Sequence, residues 1–261
     1  AGVPSRVFLA ETSMKVPVRA TVLLALSALA ALATDLTIVS KNSGKFNDGT
    51  STQYYSAQFQ RLNHEGTRTD HLTDYKQGVM YTIKHKDKKI ERMSFDDLAA
   101  AAEGMEVQMA KMKEQLANAP DFLKKAMGGD ADSFTVEEQG KDTVAGRKCR
   151  VYKISVGKLE MELANDTTLT MPVPAEAYAR FGKLRGAAMG SGAYKRLYEE
   201  MSKIKGVPLR TRSTFPLIGE MVTEAIEVKE GPVPASVFAL PEGYKVEDTG
   251  KKLREQMSKG R

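Results

Sequence analysis

The sequence has a single cysteine, Cys149, no tryptophan and no long apolar run. One cysteine excludes a disulfide within the chain. The main apolar segment, residues 22–33, is interrupted only by Ser27. It is too short to cross a bilayer, which takes ~20 apolar residues. The chain therefore shows no transmembrane helix pattern and no disulfide framework.

The apolar segment has the features of a secretory signal peptide. Lys15 and Arg19 precede it, and it ends in Ala31-Leu32-Ala33. A basic start, a short apolar core and a small-x-small end are typical of an export signal. We expect Met14 to be the initiator, cleavage after Ala33 and a periplasmic location. No cysteine follows the apolar segment, so a lipoprotein anchor is not expected.

The sequence also lacks an excess of charge in its body. The whole chain carries a net charge of +6, of which residues 1–33 contribute +2 and residues 251–261 contribute +4. The intervening residues 34–250 are formally neutral, whereas a nucleic-acid-binding domain usually carries a basic patch. We therefore exclude nucleic acid as a partner. We expect residues 34–250 to form one domain and residues 251–261 to form a solvated basic tail.

Three runs of β-strands are predicted. The first covers QYYSAQFQRL, GTRTDHL, GVMYTIKHK and KIERMSF, the second covers SFTVEEQGKDTVAGRKCRVYKISV and KLEMELAND, and the third covers GVPLRTRSTF and GEMVTEAIEVKEG. They are rich in aromatic and β-branched residues and are separated by turn residues. In the third segment Val79, Tyr81 and Ile83 alternate with Met80, Thr82 and Lys84. This period of two indicates antiparallel strands with two different faces.

Two helical segments interrupt the strands. The first begins at Ser94 and Asp97, which have capping-box spacing, and stops at Pro120. One face of it carries residues at alternating steps of four and three: Leu98, Ala102, Met105, Met109, Met112 and Leu116. The second covers residues 174–205 and is interrupted by the glycine-rich residues 186–192. The order of elements predicts an α+β fold with an antiparallel sheet and helices against one face.

Motifs for common enzyme classes are missing. Met189-Gly190-Ser191-Gly192 lacks the Gly-x-Ser-x-Gly spacing of a nucleophile elbow, so we interpret Ser191 as a helix N-cap. The glycine-rich stretch has no Lys-Ser/Thr ending and is not a P-loop. Asp70, His71 and Asp74 are metal-ligand types without a second cluster. The sequence predicts no catalytic residue, no metal site and no cofactor.

Cys149 leaves two interpretations open. Unpaired cysteines are often buried, which favours a packed thiol. Its neighbours Lys148 and Arg150 would lower the thiol pKa if the side chain were exposed, which would favour a reactive thiol. By strand alternation it shares a face with Val151 and Lys153. A hydrolase using Cys149 or Ser191 is the least favoured functional hypothesis.

The chain resembles a known group in three segments. These are VPASVFALPEGY near the C-terminus, DTVAGRKCRVYKI around Cys149, and KGVPLRTRSTF before a late strand. They are similar to segments of exported bacterial proteins of unknown function that resemble the lipoprotein-sorting carriers, LolA-like in fold. The resemblance implies a curved, incompletely closed antiparallel β-barrel with helices covering its concave face. It also implies an apolar cavity there, and it supplies no binding residue.

Two functional hypotheses follow. The first is a non-enzymatic periplasmic protein that binds a hydrophobic ligand, a lipid or acyl chain, between the sheet and the methionine-bearing helix. Thioether side chains adapt to irregular surfaces, although the same stripe also fits an ordinary helix covering a sheet. The second is an envelope protein–protein interaction module with a filled core. The expected ligand-binding residues are Leu98, Met105, Met109, Met112, Leu116, Tyr81 and Ile83.

Overall fold

The computed structural model describes residues 34–45, 48–117, 134–156, 159–188, 197, 199–201, 203–215 and 219–259. All of them belong to one compact unit, Leu32–Arg261. Across these described ranges no helix has the length and apolarity to cross a membrane. The predicted signal peptide, residues 14–33, lies outside the described residues and stays a prediction.

The described residues form twelve strands, three α-helices and one short 3-10 helix. The strands are β1 Leu36–Ser43, β2 Gly49–Tyr55, β3 Phe59–His64, β4 Thr69–Asp74, β5 Val79–Lys84, β6 Lys89–Ser94, β7 Phe134–Val144, β8 Arg147–Val156, β9 Leu159–Asp166, β10 Val207–Phe215, β11 Gly219–Glu230 and β12 Lys245–Asp248. The helices are α1 Phe95–Ala117, α2 Ala175–Ala188, the 3-10 helix Ala235–Phe238 and α3 Thr249–Lys259.

All twelve strands belong to one open sheet. Their order is β12-β6-β5-β4-β3-β2-β1-β11-β10-β9-β8-β7. Strands β1 to β6 form one meander, β7 to β11 form a second, and the antiparallel pair β1·β11 joins them. Only β12 is parallel to its neighbour, β6. The predicted α+β fold with an incompletely closed antiparallel sheet is confirmed.

Three register shifts interrupt the ladders of the second meander and its junction with the first. They lie between Val39 and Ser40 opposite β11, between Pro208 and Arg210 in β10, and between Glu138 and Gly140 in β7. A β-bulge bends its strand and increases the local twist. The bulges therefore let a sheet of this width curl around the helices on one side.

Helices α1 and α2 cover one face of the sheet, which we call the concave face. Ile38 in β1, Tyr55 in β2 and Leu209 in β10 meet Leu98 of α1 and Phe181 of α2 in one hydrophobic cluster. Because strand residues alternate between faces, the even-numbered residues of β5 and the odd-numbered residues of β2 point to this side. The predicted placement of helices against one face is confirmed.

The opposite, outer face of the first meander is covered by residues 231–244. Phe238 of the 3-10 helix packs with Leu72, Ile83 and Ile90 and stacks on Phe59, with 5.2 Å between ring centroids. The segment resembling exported proteins, VPASVFALPEGY, lies within this covering stretch. The resemblance thus corresponds to a piece of chain that gives the sheet a second buried face.

A polar network fixes the covering segment to the sheet. Arg61 donates to Asp70 at 2.7 Å and to the carbonyl oxygens of Val237 and Ala239 at 2.8 and 3.0 Å. His85 Nε2 lies 2.9 Å from Asp70 Oδ2, and His85 Nδ1 lies 3.0 Å from the Tyr244 hydroxyl. Buried charges need partners of this kind. The network therefore ties β3, β4 and the turn after β5 to a segment far away in sequence.

A third hydrophobic cluster lies in the second meander. Ile154 and Val156 of β8 and Leu163 of β9 pack with Leu197. Cys149 and Val151 belong instead to the cluster under α1 and α2. Strand β8 thus buries both of its sides, which agrees with the predicted alternation.

Helix α1 begins as predicted. The Ser94 amide donates to Asp97 Oδ2 at 3.0 Å, and the Asp97 amide donates to Ser94 Oγ at 3.1 Å, which is a capping box. The guanidinium of Arg254, on α3, contacts the other carboxylate oxygen of Asp97. Residues 251–259, expected to be a solvated basic tail, belong to helix α3, and the side chains of Lys251, Lys252 and Arg254 are exposed.

One strand prediction is wrong. The segment QYYSAQFQRL is not a single strand, because β2 ends at Tyr55 and β3 begins at Phe59. The Ser56 amide donates to the Phe59 carbonyl at 2.8 Å, and the Phe59 amide donates to Ser56 Oγ at 3.0 Å. A serine hydroxyl that bonds local backbone favours a turn over a continuous strand.

Candidate functional site

A cavity of about 150 Å³ lies between the concave face and helix α2. Strands β1, β2, β3, β10 and β11 and helix α2 supply its walls, because their concave-face residues converge beneath α2. Its lining is Ile38, Ser40, Gln53, Tyr55, Gln60, Tyr178, Pro208, Leu209, Thr211 and Thr223. Most of these side chains carry a hydroxyl or an amide, so the cavity is polar although it adjoins the hydrophobic cluster.

Tyrosine and glutamine side chains form a hydrogen-bonded chain in one wall. The Tyr55 hydroxyl donates to Gln53 Oε1, and Gln60 Nε2 approaches the Tyr55 oxygen at 3.4 Å. The Tyr75 hydroxyl donates to Gln60 Oε1 at 2.6 Å. These hydrogen bonds fix the orientation of the Gln53 and Gln60 amides, because each amide oxygen already accepts a hydrogen bond from a tyrosine hydroxyl.

Buried polar residues continue from the cavity along β1, β2 and β11. Asn42 Nδ2 donates to Ser51 Oγ at 2.9 Å, and the Thr223 hydroxyl donates to Asn42 Oδ1 at 2.9 Å. Ser40, Asn42 and Ser51 are each less than 5 % exposed. A sheet interior usually holds apolar side chains at such positions. This polar row therefore distinguishes the middle of the concave face from its surroundings.

The electrostatics of the wall disfavour negative charge. Burial raises the pKa of the Tyr55 phenol well above its usual value, and the neighbouring phenols Tyr178 and Tyr75 raise it further. Burial, followed by Tyr178, also raises the pKa of Tyr75. Desolvation penalises the charged form of a buried group. Both tyrosines therefore stay neutral hydrogen-bonding groups at every physiological pH.

Aromatic rings close the space beside the cavity. Phe181 of α2 stacks on Phe95 with 5.2 Å between centroids and meets Tyr75 edge-on at 5.7 Å. Tyr178, one turn earlier on α2, lies 6.4 Å from Tyr75. The rings hold α2 against the sheet and place an apolar wall next to the polar one.

The expected ligand-binding residues on α1 fall into two groups. Leu98 is buried in the same cluster as Tyr55 and Phe181 but does not line the cavity. Met105, Met109, Met112 and Leu116 lie on α1, but their side chains are outside the described residues. Their role as an apolar wall therefore stays a prediction.

Tyr81 and Ile83 do not lie near Leu98. Both belong to the cluster on the outer face, where Ile83 is fully buried beneath Phe238 and its neighbours. The sheet separates them from α1 and from the cavity. Their inclusion in one lining with Leu98 is corrected, because the covering segment 231–244 buries the odd-numbered face of β5.

The polar lining residues were not predicted from the sequence. Ser40, Gln53, Gln60, Thr211 and Thr223 are residue types that usually indicate solvent-facing positions in strands. One signal was present in QYYS, where Tyr54 and Tyr55 point to opposite faces. Large aromatic residues on both faces of a strand indicate that both faces are covered, which makes the intervening polar residues candidates for an interior site.

The three metal-ligand types noted in β4 do not converge. Asp70 is paired with Arg61 and His85, and Asp74 accepts from Gln58 and from the Gln77 amide. His71 points to the other side of the strand and is exposed. In the described ranges no group of three or more acidic, histidine or cysteine side chains could hold a metal ion.

A wider open groove of about 580 Å³ lies between β7, β8 and residues 200–205. It carries Arg150, Lys203 and Val136. Arg150 pairs with Glu138 at 3.2 Å, and Lys203 pairs with Glu200. Exposed pairs of this kind contribute little to stability. The groove is a solvated surface of mixed charge.

Cys149 is packed, as the favoured interpretation predicted. Its side chain is 2 % exposed, and its thiol lies 3.6 Å from the Arg147 carbonyl oxygen. Burial raises the pKa of the thiol, and the nearby carboxylate of Asp166 adds to the increase. The flanking Lys148 and Arg150 point away by strand alternation. Ser191, the other candidate nucleophile, lies outside the described residues.

We expect Cys149 to resist thiol reagents in the folded protein. A raised pKa leaves little thiolate at neutral pH, and burial blocks access to it. The rate of reaction with 5,5′-dithiobis(2-nitrobenzoic acid) at about pH 8 should rise by at least about 100-fold in denaturant. A denatured sample supplies the rate of an unprotected thiol. A fast reaction in the native protein would contradict this placement.

Several solved structures are similar to the chain. One is an uncharacterized conserved protein from Thermus thermophilus, with a TM-score of 0.46, 8% identity and coverage of 83% of this chain and 91% of that chain. Another is the MucA/MucB complex of Pseudomonas aeruginosa, with a TM-score of 0.43, 11% identity and coverage of 82% and 58%. A third is the LolA superfamily protein NE2245 from Nitrosomonas europaea, with a TM-score of 0.25, 6% identity and coverage of 79% and 90%.

A search of curated proteins gives no significant match. Among protein families, the one described as "Domain of unknown function (DUF4412)" matches residues 49–244. The matched region runs from the start of β2 to Tyr244, at the end of the covering segment, and so includes most of both meanders, α1, α2 and most of the cavity lining. The match confirms the predicted membership of a group of unknown function. The chain belongs to the DUF4412 family.

Proposed function

We propose that this protein is an exported, non-enzymatic binding protein that holds a lipid or acyl chain between the concave face and helices α1 and α2. The observation that carries the proposal is the polar cavity beneath α2, beside the hydrophobic cluster that contains Leu98. A site with a polar wall and an apolar wall suits a ligand with one polar end. Export to the periplasm is proposed from the predicted signal peptide.

The size of the cavity supports a role in holding the polar end of the ligand. Pockets that enclose a whole ligand have volumes of about 300–1,000 Å³. The cavity of about 150 Å³ is smaller and accommodates a head group without its chain. We place the chain along α1, where Met105, Met109 and Met112 repeat on one helical face.

Protein–protein interaction in the envelope is the second candidate. It is favoured by the ring packing of Phe95, Tyr75 and Phe181, which fills the space at the start of α1. In that case the cavity holds only water, and an exposed surface recognises the partner. The two candidates differ in one measurable property, a saturable ligand site.

The first test is mass spectrometry of an organic extract of protein purified without detergent. An extract of an unrelated periplasmic protein serves as the control. A lipid present at about one molecule per chain supports the proposal, whereas a clean extract favours the interaction module. The intact mass of the same sample shows whether residues 1–33 have been removed.

Filling the cavity should abolish retention. Thr211→Leu adds apolar volume to the wall formed by β10, so we expect ligand retention to fall by at least about 10-fold, since a head group would then clash. Thr214→Leu is the matched control, because Thr214 lies on the same strand and is exposed. Equal retention in both variants, with unchanged circular dichroism, would count against the cavity as the binding site.

A further inference from the structure

Among the described residues that line the cavity, none carries a charge. Seven of the ten present a hydroxyl or an amide, and the other three are Ile38, Pro208 and Leu209. Serine and threonine hydroxyls act as donors or acceptors, and glutamine amides offer both. The lining is thus rich in neutral hydrogen-bonding groups of both kinds and has no counter-charge for an ionised ligand.

We propose that the cavity binds an uncharged polar group, such as a hydroxyl, ester or primary amide, and discriminates against carboxylate and phosphate head groups. This inference rests on the proposed function, which it deepens by naming the ligand class: a neutral single-chain amphiphile. A free fatty acid and an anionic phospholipid have the same kind of chain and are excluded by their head groups alone.

The physical basis is the cost of burying an unpaired charge. An ion moved out of water without a partner loses its hydration, and nearby neutral dipoles replace only part of that loss. Burial has the same effect on the pKa of Tyr55, which lines the cavity, and on that of Tyr75, which is hydrogen-bonded to the lining residue Gln60. A carboxylate placed beside these phenols would meet the environment that keeps them protonated.

One cation lies close to the aromatic cluster but does not line the cavity. The guanidinium carbon of Arg185, on α2, lies 5.7 Å from the centre of the Phe181 ring. Its positive charge opposes the increase in the pKa of Tyr75. At Tyr75 the increase in pKa caused by burial and by Tyr178 is larger than the decrease caused by Arg185. Arg185 therefore does not compensate the cost of placing an anion beside this wall.

The glutamine amides add direction to the preference. Gln53 Oε1 and Gln60 Oε1 already accept the hydroxyls of Tyr55 and Tyr75. The Nε2 groups of Gln53 and Gln60 are therefore the parts of these amides that can donate hydrogen bonds to a ligand. Together with the hydroxyl of Thr211, they suit a carbonyl or hydroxyl oxygen of a neutral ligand.

The test compares probes that share one chain and differ in the head group. Palmitamide, monopalmitoylglycerol, palmitate and palmitoyl lysophosphatidate are titrated at about pH 8, where the carboxylate is ionised, in competition with a fluorescent fatty-chain probe. We expect the two neutral compounds to bind at least about 10-fold tighter than the two anions. Equal or tighter binding of an anion would overturn the inference and leave the proposed function standing. Binding of none of the four would overturn both.

A pH series provides an internal check. Lowering the pH through the pKa of palmitic acid makes its head group neutral, so its affinity should rise toward that of palmitamide, whose affinity should stay constant. Identical pH dependence of the two compounds would contradict the exclusion of anions.

Two variants test the lining itself. Thr211→Val removes a hydroxyl at nearly constant volume and should weaken palmitamide binding by about 3- to 10-fold, whereas Thr214→Val should leave it unchanged. Gln53→Lys adds a cation to the wall and should raise palmitate affinity relative to palmitamide, and the exposed Gln139→Lys serves as its charge-matched control. If Gln53→Lys does not fold, the comparison of palmitamide binding between Thr211→Val and Thr214→Val serves as the test of the lining. Unchanged binding in Thr211→Val would overturn the assignment of the cavity.

Discussion

Replacing Arg61 with methionine should lower the free energy of unfolding by about 3–5 kcal/mol, because removing one member of a buried ion pair leaves the other charge without compensation. The Arg61 and Asp70 side chains are each 10% exposed and lie 2.7 Å apart. Arg61 also donates to two carbonyl oxygens of the covering segment 231–244. The variant therefore loses a charge partner and two attachments of the outer layer at once.

Arg150→Met is the matched control for this prediction. Arg150 also lies on a strand, and its pair with Glu138 is exposed, so the loss should be within about 1 kcal/mol. Equilibrium unfolding in urea measures both values. Equal effects of the two variants would show that the Arg61 network does not hold the segment.

A double variant separates the effect of leaving Asp70 unpaired from the effect of losing the hydrogen bonds to the covering segment. Arg61→Met/Asp70→Leu removes both charges, so it should recover part of the stability lost in Arg61→Met. The attachments to Val237 and Ala239 remain lost in either case. We therefore expect hydrogen exchange in residues 231–244 to be faster than in the unmodified protein for both variants.

Replacing Phe181 with alanine should lower the free energy of unfolding by about 3–5 kcal/mol, the usual range for truncating a buried phenylalanine. Phe181 is 7% exposed and contacts the rings of Phe95 and Tyr75, so its removal leaves a hole where α2 meets the sheet. The same change should reduce ligand retention, because α2 forms one side of the cavity.

Lys183→Ala is the control on the same helix. Lys183 is exposed, so we expect its loss to change stability by less than about 0.5 kcal/mol. A change below about 1 kcal/mol for Phe181→Ala would show that α2 is held by other contacts and separates readily from the sheet. Hydrogen exchange along α2 distinguishes local opening from global unfolding.

The losses of stability predicted for Arg61→Met and Phe181→Ala arise on opposite faces of one sheet. Because both faces of the sheet are buried, the main error in the predicted site was to combine residues from the two faces. Tyr81 and Ile83 have the alternating pattern of a buried strand face, and the sequence places them correctly on one side of β5. The pattern does not indicate which layer covers that side. Segment 231–244 covers it, and a contact between residues so distant in sequence leaves no local periodicity.

Prediction of the functional site was limited in a similar way. Helical periodicity correctly indicated that Leu98 lies on a buried helix face, whereas its role in ligand binding stays a prediction. Ser40, Gln53, Thr211 and Thr223 were missed because polar residues in strands usually face solvent. Their burial depends on the curl of the sheet and on α2, which lie outside any local window of sequence.

The sequence by itself determined most of the local structure: the capping box at Ser94 and Asp97, the period-two strands and most of the turns between them. These features depend on interactions among residues within a few positions, which side-chain chemistry and spacing encode directly. The tertiary structure alone decided that residues 231–244 cover the outer face, that residues 251–259 form a helix anchored at Asp97, and that neutral polar groups converge beneath α2. Each of these depends on contacts between distant segments, whose partners are chosen by the packing of the whole chain.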